Sequence, residues 1–246
     1  MKTIFRTALL VSMMSTFSSQ ATTQETASVN TKTIRAMSGA TATTSLSASE
    51  TALIVVDIQN EYYAGQNFRG RMVIPDGENV LLNSKKLVNY AHQKGMSVYF
   101  VRHITKNDSQ QNDTALFAEN SVFAQFHKDL QPTAQDSIIT KETPSSFVGT
   151  DLDAQLKKKG IKKIVVAGLM THMCISSTAR DAVPLGYSVI IPEDATGTRD
   201  LDDGKGGVVD HNTLQRAALA GVADVFAEIM TTDQVMALKI KKIIPS

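Results

Sequence analysis

Three side chains of this 246-residue chain can together run a covalent hydrolysis: the lone cysteine, Cys174, an aspartate, Asp57, and a lysine, Lys141. A thiolate is a strong nucleophile, and a carboxylate beside it can take its proton. A neighbouring ammonium lowers the thiol pKa and helps hold the acid ionised. Taken singly, each has an ordinary reading, because a lone cysteine packs as a small hydrophobe and strand-end charges are commonly just solvated. Their positions change that weighting. Asp57 directly follows the apolar run 53–56, Lys141 follows Ile138-Ile139-Thr140, and Cys174 lies past the turn Gly168-Leu169-Met170-Thr171. Thr171 can cap a helix opening there and leave the sulfur in its first turn, where the helix dipole favours a thiolate. The amides of that turn are available to an oxyanion.

The elements that must position these residues are short apolar, β-branched runs at 53–56, 97–101, 137–139, 163–167, 188–191 and 225–229. Runs without alternation suit strands buried on both faces. Helical patterns lie between them at 79–94, 151–159, 172–185 and 211–220. Gly95, Gly160, Gly186 and Gly221 follow as expected left-handed caps. The order predicts an α/β fold, a three-layer sandwich with a central, mostly parallel six-stranded sheet joined by right-handed crossovers. Ligands of such sheets bind outside the carboxyl ends of the strands. That edge collects Asp57, Arg102 with His103, Lys141, the turn 168–174, and Glu193 with Asp194.

Composition and the chain ends narrow the classes. There are 25 basic and 24 acidic side chains, a formal charge of +1, so a polybasic partner of nucleic acid or membrane is not expected. One cysteine excludes an internal disulfide and any zinc site of several thiolates. Residues 1–21 carry Lys2 and Arg6, then an uncharged stretch, then Ser19 and Ala21 spaced for signal peptidase. This reads as a signal peptide and predicts a secreted or periplasmic protein with no membrane anchor after cleavage. Residues 22–50 hold eight Thr and five Ser without an aromatic, and are expected to be a flexible leader before a single domain at 51–246.

At the residues singled out, the sequence resembles the isochorismatase-like cysteine hydrolases, a superfamily that includes nicotinamidases, N-carbamoylsarcosine amidases and isochorismatases. The likeness spans about 51–235. It rests on Ala52-Leu53-Ile54-Val55-Val56-Asp57-Ile58-Gln59-Asn60, then Thr140-Lys141 with Ser146-Phe147 and Gly149-Thr150-Asp151-Leu152. Gly168-Leu169-Met170-Thr171-His172-Met173-Cys174 and Thr178-Ala179-Arg180-Asp181-Ala182 complete it. The resemblance implies Cys174 as nucleophile, Asp57 as its proton acceptor and Lys141 as support for both. It also implies an oxyanion hole from the amides of Met170 and Cys174, and a cis peptide between Leu169 and Met170. Tyr62, Tyr63 and Phe147 resemble pocket walls, and His103 and His172 are further candidates to line the pocket. The implied reaction is hydrolysis of a carbon–nitrogen bond in a small amide or carbamoyl substrate through a thioester, in a homo-oligomer.

The pattern also departs from parts of the superfamily. Nicotinamidases carry an Asp-x-His pair and a further His as metal ligands near the second strand, where this chain has only His103 with Asp108 beyond it. No catalytic metal and no cofactor is therefore expected. Isochorismatases proper cleave a vinyl ether and can dispense with the thiol, so the retained Cys174 favours an amide. A vinyl ether hydrolase and a noncatalytic small-molecule binder on the same fold are the alternatives. The segment 200–207 looks superficially like a calcium loop but lacks its alternating ligands and closing Glu, so a turn is expected. No Gly-x-Ser-x-Gly elbow, His-Glu-x-x-His helix or phosphate loop is present.

Overall fold

The computed structural model of the chain describes residues 30–64, 70–106 and 115–241. The expected signal peptide lies outside the described residues. The chain divides into two compact units. Of the first, Met1–Thr31, only residues 30 and 31 are described; the second is Lys32–Ser246.

This second unit opens with α1 (Ile34–Met37), β1 (Ser45–Ser47) and β2 (Thr51–Val56). Next come α2 (Gly77–Lys94), β3 (Ser97–His103), β4 (Ser137–Lys141), α3 (Leu152–Lys158) and β5 (Lys163–Leu169). A π-helical turn, Thr171–Ile175, leads into α4 (Ser176–Ala182), followed by β6 (Ser188–Pro192), β7 (Thr196–Gly197), β8 (Leu201–Asp202) and β9 (Val208–Val209). The chain then forms α5 (His211–Ala223), β10 (Glu228–Met230), α6 (Thr232–Ala237) and β11 (Lys239–Lys241).

The main sheet runs β10-β6-β5-β2-β3-β4, every neighbour parallel, with β7 added on β5. It therefore has seven strands rather than the expected six. The extra one is the two-residue β7, too short to show as an apolar run. β2 is buried on both faces because each face meets a helix layer. Leu53 and Val55 join Val80, Leu87 and Val235 from α2 and α6. Ala52, Ile54 and Val56 join Leu152, Leu156, Ala179, Ala182, Leu219 and Val222 from α3, α4 and α5. β4, at the sheet edge, leaves Ile138 exposed.

Glycine caps end α2 at Gly95 and the turns at Gly160 and Gly186, all with positive φ. Gly221 differs, since α5 runs through it to Ala223, and β10 covers Glu228–Met230, starting three residues after the expected run 225–229 begins. The helix between β5 and β6 also differs from 172–185, because the π turn delays α4 to Ser176. Residues 200–207 supply β8 and the turn of the antiparallel β8–β9 hairpin.

The leader expected to be flexible is ordered from residue 33 onward. Thr33 caps α1, the amides of Ile34 and Arg35 bond Asp224, and the Thr43 amide bonds the Glu228 carboxylate. β1 pairs with β11, and Leu46 is 1% exposed within the core. The Ser/Thr-rich segment pairs part of its backbone on a strand, and Leu46 with Ala48 seats it on the core.

Candidate active site

Parallel register brings the ends of four strands to one edge. Val56 lies opposite Val101 on one side and Gly168 on the other, and His103 lies opposite Lys141. Asp57 leaves β2 with φ 53, a left-handed conformation that Asp tolerates better than most residues, and its amide bonds the Val101 carbonyl at 2.9 Å. Both its side chain and that of Lys141 are fully buried, with 2.8 Å between Lys141 Nζ and Asp57 Oδ2. The same ammonium donates to Cys174 Sγ at 3.3 Å, to the Thr143 carbonyl at 3.1 Å and to His103 Nδ1 at 3.2 Å. Three N–H donors thus serve four acceptors. Apart from Lys141 and the thiol, the carboxylate oxygens of Asp57 have no partner among the described residues.

Cys174 is carried to this pair by a close strand approach and an unusual turn. A Cβ at Gly168, whose φ is 116, would lie 2.0 Å from the Val56 carbonyl oxygen, so only glycine lets β5 meet β2 there. The Leu169–Met170 peptide is cis, as the resemblance implies. The Met170 carbonyl accepts from the amides of Met173 at 3.0 Å and Ile175 at 3.2 Å, passing over that of Cys174. Met170, not Thr171, caps the turn, and Thr171 Oγ1 is buried without a partner among the described residues. Ser146 and Thr178, joined at 2.9 Å, tie the loop after β4 to the helix after the thiol.

The electrostatics reverse one expectation. Burial, and then the Asp57 charge, push the Cys174 thiol up to about 12 against the downward pull of Lys141. A π turn in place of an α-helix N-terminus offers less help to a thiolate, and the resting sulfur is a thiol hydrogen-bonded toward Asp57. Burial opposes the charged form of Lys141, yet Asp57 and Cys174 outweigh it and hold the ammonium above its ordinary value. His103 is pushed down by burial and by Lys141, so it is neutral and offers Nδ1 as an acceptor.

Of the other candidates, Tyr62 has its phenol pushed up by burial and then by the Asp57 charge, and packs on Phe117, which also meets the His103 ring. Phe147 shares the apolar cluster of Cys174 and stacks on Tyr187. His172 bonds the Thr198 hydroxyl. Tyr63 belongs elsewhere. Its ring packs against His127 and under Gly77, and none of its described contacts is with Asp57, Lys141 or Cys174. Sequence reasoning missed Gln59, whose buried amide clamps the backbone of His103 from both sides at 2.8 and 2.9 Å. It also missed Thr198, which follows the short β7 and bonds His172. Among the described residues no group of His, Cys, Asp and Glu is arranged to hold a metal.

Comparison with known proteins agrees with this architecture. The isochorismatase domain model matches residues 51–234. An uncharacterised isochorismatase-family protein of Bacillus subtilis is 34% identical over 74% of this chain and 97% of its own length. A ureidoacrylate amidohydrolase of Acinetobacter baylyi is 29% identical over 61% of this chain and 71% of its own. A crystal structure of a cysteine hydrolase from Pseudomonas syringae pv. phaseolicola superposes with a TM-score of 0.71 at 29% identity, covering 78% of this chain and 92% of that one. With a family domain spanning most of its length and a relative matched nearly end to end, the chain belongs to the isochorismatase family of hydrolases.

Proposed function

We propose that the chain is a cysteine amidohydrolase that cleaves the carbon–nitrogen bond of a small amide or carbamoyl compound. The observation that carries this reading is the fully buried Asp57–Lys141 pair placed on the Cys174 sulfur. Sulfur attacks the carbonyl carbon as its proton passes to Asp57, giving a tetrahedral oxyanion held by the amides of Met170 and Cys174. Collapse breaks the carbon–nitrogen bond, Asp57 returns the proton to the leaving nitrogen, and a thioester remains. Water, deprotonated by Asp57, then hydrolyses the thioester and restores the thiol. Lys141 stays protonated throughout and keeps Asp57 anionic between proton transfers.

The test is ammonia release from a panel of simple amides, ureas and carbamoyl compounds. Cys174→Ala is expected to lose turnover completely while keeping its circular dichroism spectrum. Residual turnover in that variant at wild-type level would overturn the reading.

A further inference from the structure

We propose that His103 is the positioning residue of the catalytic pair: its neutral imidazole accepts from the Lys141 ammonium and holds it between Asp57 and Cys174, and charging the ring disengages it. The inference rests on the hydrolase reading above for its kinetic arm only.

The donor count of Lys141 points to this role. Its three N–H groups meet Asp57 Oδ2 at 2.8 Å, the Thr143 carbonyl at 3.1 Å, His103 Nδ1 at 3.2 Å and Cys174 Sγ at 3.3 Å. The sulfur of a resting thiol is the weakest acceptor of the four. At rest the ammonium is therefore held by the carboxylate, the carbonyl and the imidazole, one donor to each. An ammonium has no lone pair, so Nδ1 can meet it only when that nitrogen carries no proton, which puts the ring proton on Nε2.

The surroundings fix the ring in place. His103 ends β3 directly opposite Lys141. The fully buried Gln59 side chain accepts from the His103 amide at 2.9 Å and donates to its carbonyl at 2.8 Å and to that of Ala124 at 2.7 Å. The Phe117 ring lies 4.9 Å from the imidazole. Phe117 has φ 58, and among the described residues only Asp57 shares a positive φ outside glycine. Bulky side chains rarely adopt that conformation, and it persists where the surroundings impose it, often at functional sites. One of these two residues supplies the acid, and the other backs the imidazole that holds the partner of that acid.

Charges bear on the ring from both flanks. Lys141 on β4 opposes an imidazolium, while Asp57 after β2, Glu142 and the Thr143 carbonyl favour one. Burial and Lys141 prevail, and Glu142 is half-exposed and already paired with Lys106 at 2.5 Å. The ring is thus neutral at pH 7 and charges below the ordinary value of about 6.5. It is only partly buried, so protons reach it. Once charged, it offers no acceptor at Nδ1 and sets a second cation 3.2 Å from the ammonium.

Two measurements test the role. The first is ¹⁵N resonance of the histidine rings in the full wild-type chain, with His103 assigned by its loss in His103→Asn. At pH 8 the proton is expected on Nε2, and a proton on Nδ1 overturns the proposal, even if no variant folds. The second is kinetics on the best amide of the panel above. His103→Leu, which cannot accept, is expected to lose about tenfold in kcat at pH 8 with KM unchanged, and His103→Asn, whose Oδ1 can accept, to lose about threefold. The acid limb of kcat/KM in wild type is expected to share its midpoint with the His103 resonance, and in His103→Asn to move down by about one pH unit or more. An unmoved acid limb in His103→Asn overturns the proposal, as does wild-type kcat in His103→Leu. The expected tautomer with no amide cleaved would uphold the contact with Lys141 and count against the amidohydrolase reading.

Discussion

At Cys174 the low-dielectric surroundings and the Asp57 carboxylate oppose the Lys141 ammonium, and the first two prevail, leaving a thiol near 12. An ordinary cysteine titrates at roughly 8.5, so its alkylation levels off by about pH 10. Here the folded-state pKa is raised, so the thiolate fraction keeps growing about tenfold per pH unit through pH 7 to 10. Iodoacetamide kinetics on the free protein are expected to rise across that range without a plateau; a plateau below pH 9 would contradict the geometry. Asp57→Asn keeps the shape and tolerates φ 53, yet cannot accept the proton. It is expected to lower kcat by about 10²- to 10⁴-fold with the fold intact by circular dichroism. The three residues were legible in sequence because each sits at a fixed offset from an apolar run. The direction of the thiol shift was not, since it depends on depth of burial.

At the scale of elements, the site depends on how closely β5 approaches β2. Gly168→Ala would bring a Cβ to 2.0 Å from the Val56 carbonyl oxygen and impose a side chain on φ 116. Either the strands part or Asp57 and the thiol turn separate, so the cost is about 3 kcal/mol with activity lost more steeply than stability. Denaturant unfolding combined with turnover checks this, and a variant with wild-type values for both would show the approach to be unimportant. β2, β3 and β5 were readable because a strand buried on both faces must be apolar throughout. Gly221 misled because tertiary contacts outweighed its local preference. Arg180 donates to its carbonyl at 3.2 Å and lies 4.6 Å over the Phe226 ring, holding α5 helical past the glycine.

On the scale of the whole molecule, the domain starts well before the apolar run that marks it in sequence. Between Thr33 and Ser47 the chain is fastened by Asp224, by Glu228, by the Lys163 ammonium on Thr43 Oγ1 at 2.8 Å, and by pairing of β1 with β11. Composition pointed the other way, because thirteen hydroxyl residues in 29 cannot form a core of their own. They need not, since the rest of the domain supplies one, which Leu46 enters and Ala48 packs against. Leu46→Ala is therefore expected to cost about 2 to 5 kcal/mol, as for other buried leucines. Each kcal/mol corresponds to about 2 to 4 °C in Tm for a domain of this size. A chain starting at Lys32 should melt with one starting at Thr22, whereas one starting at Thr51 should melt at least as low as Leu46→Ala. Well below the melting temperature, Leu46→Ala should keep its kcat, because Leu46 belongs to the core cluster on the opposite sheet face from Cys174. Scanning calorimetry of the four proteins decides the matter, and equal Tm values for the chains starting at Thr22 and Thr51 would return residues 33–47 to the role of a loose leader.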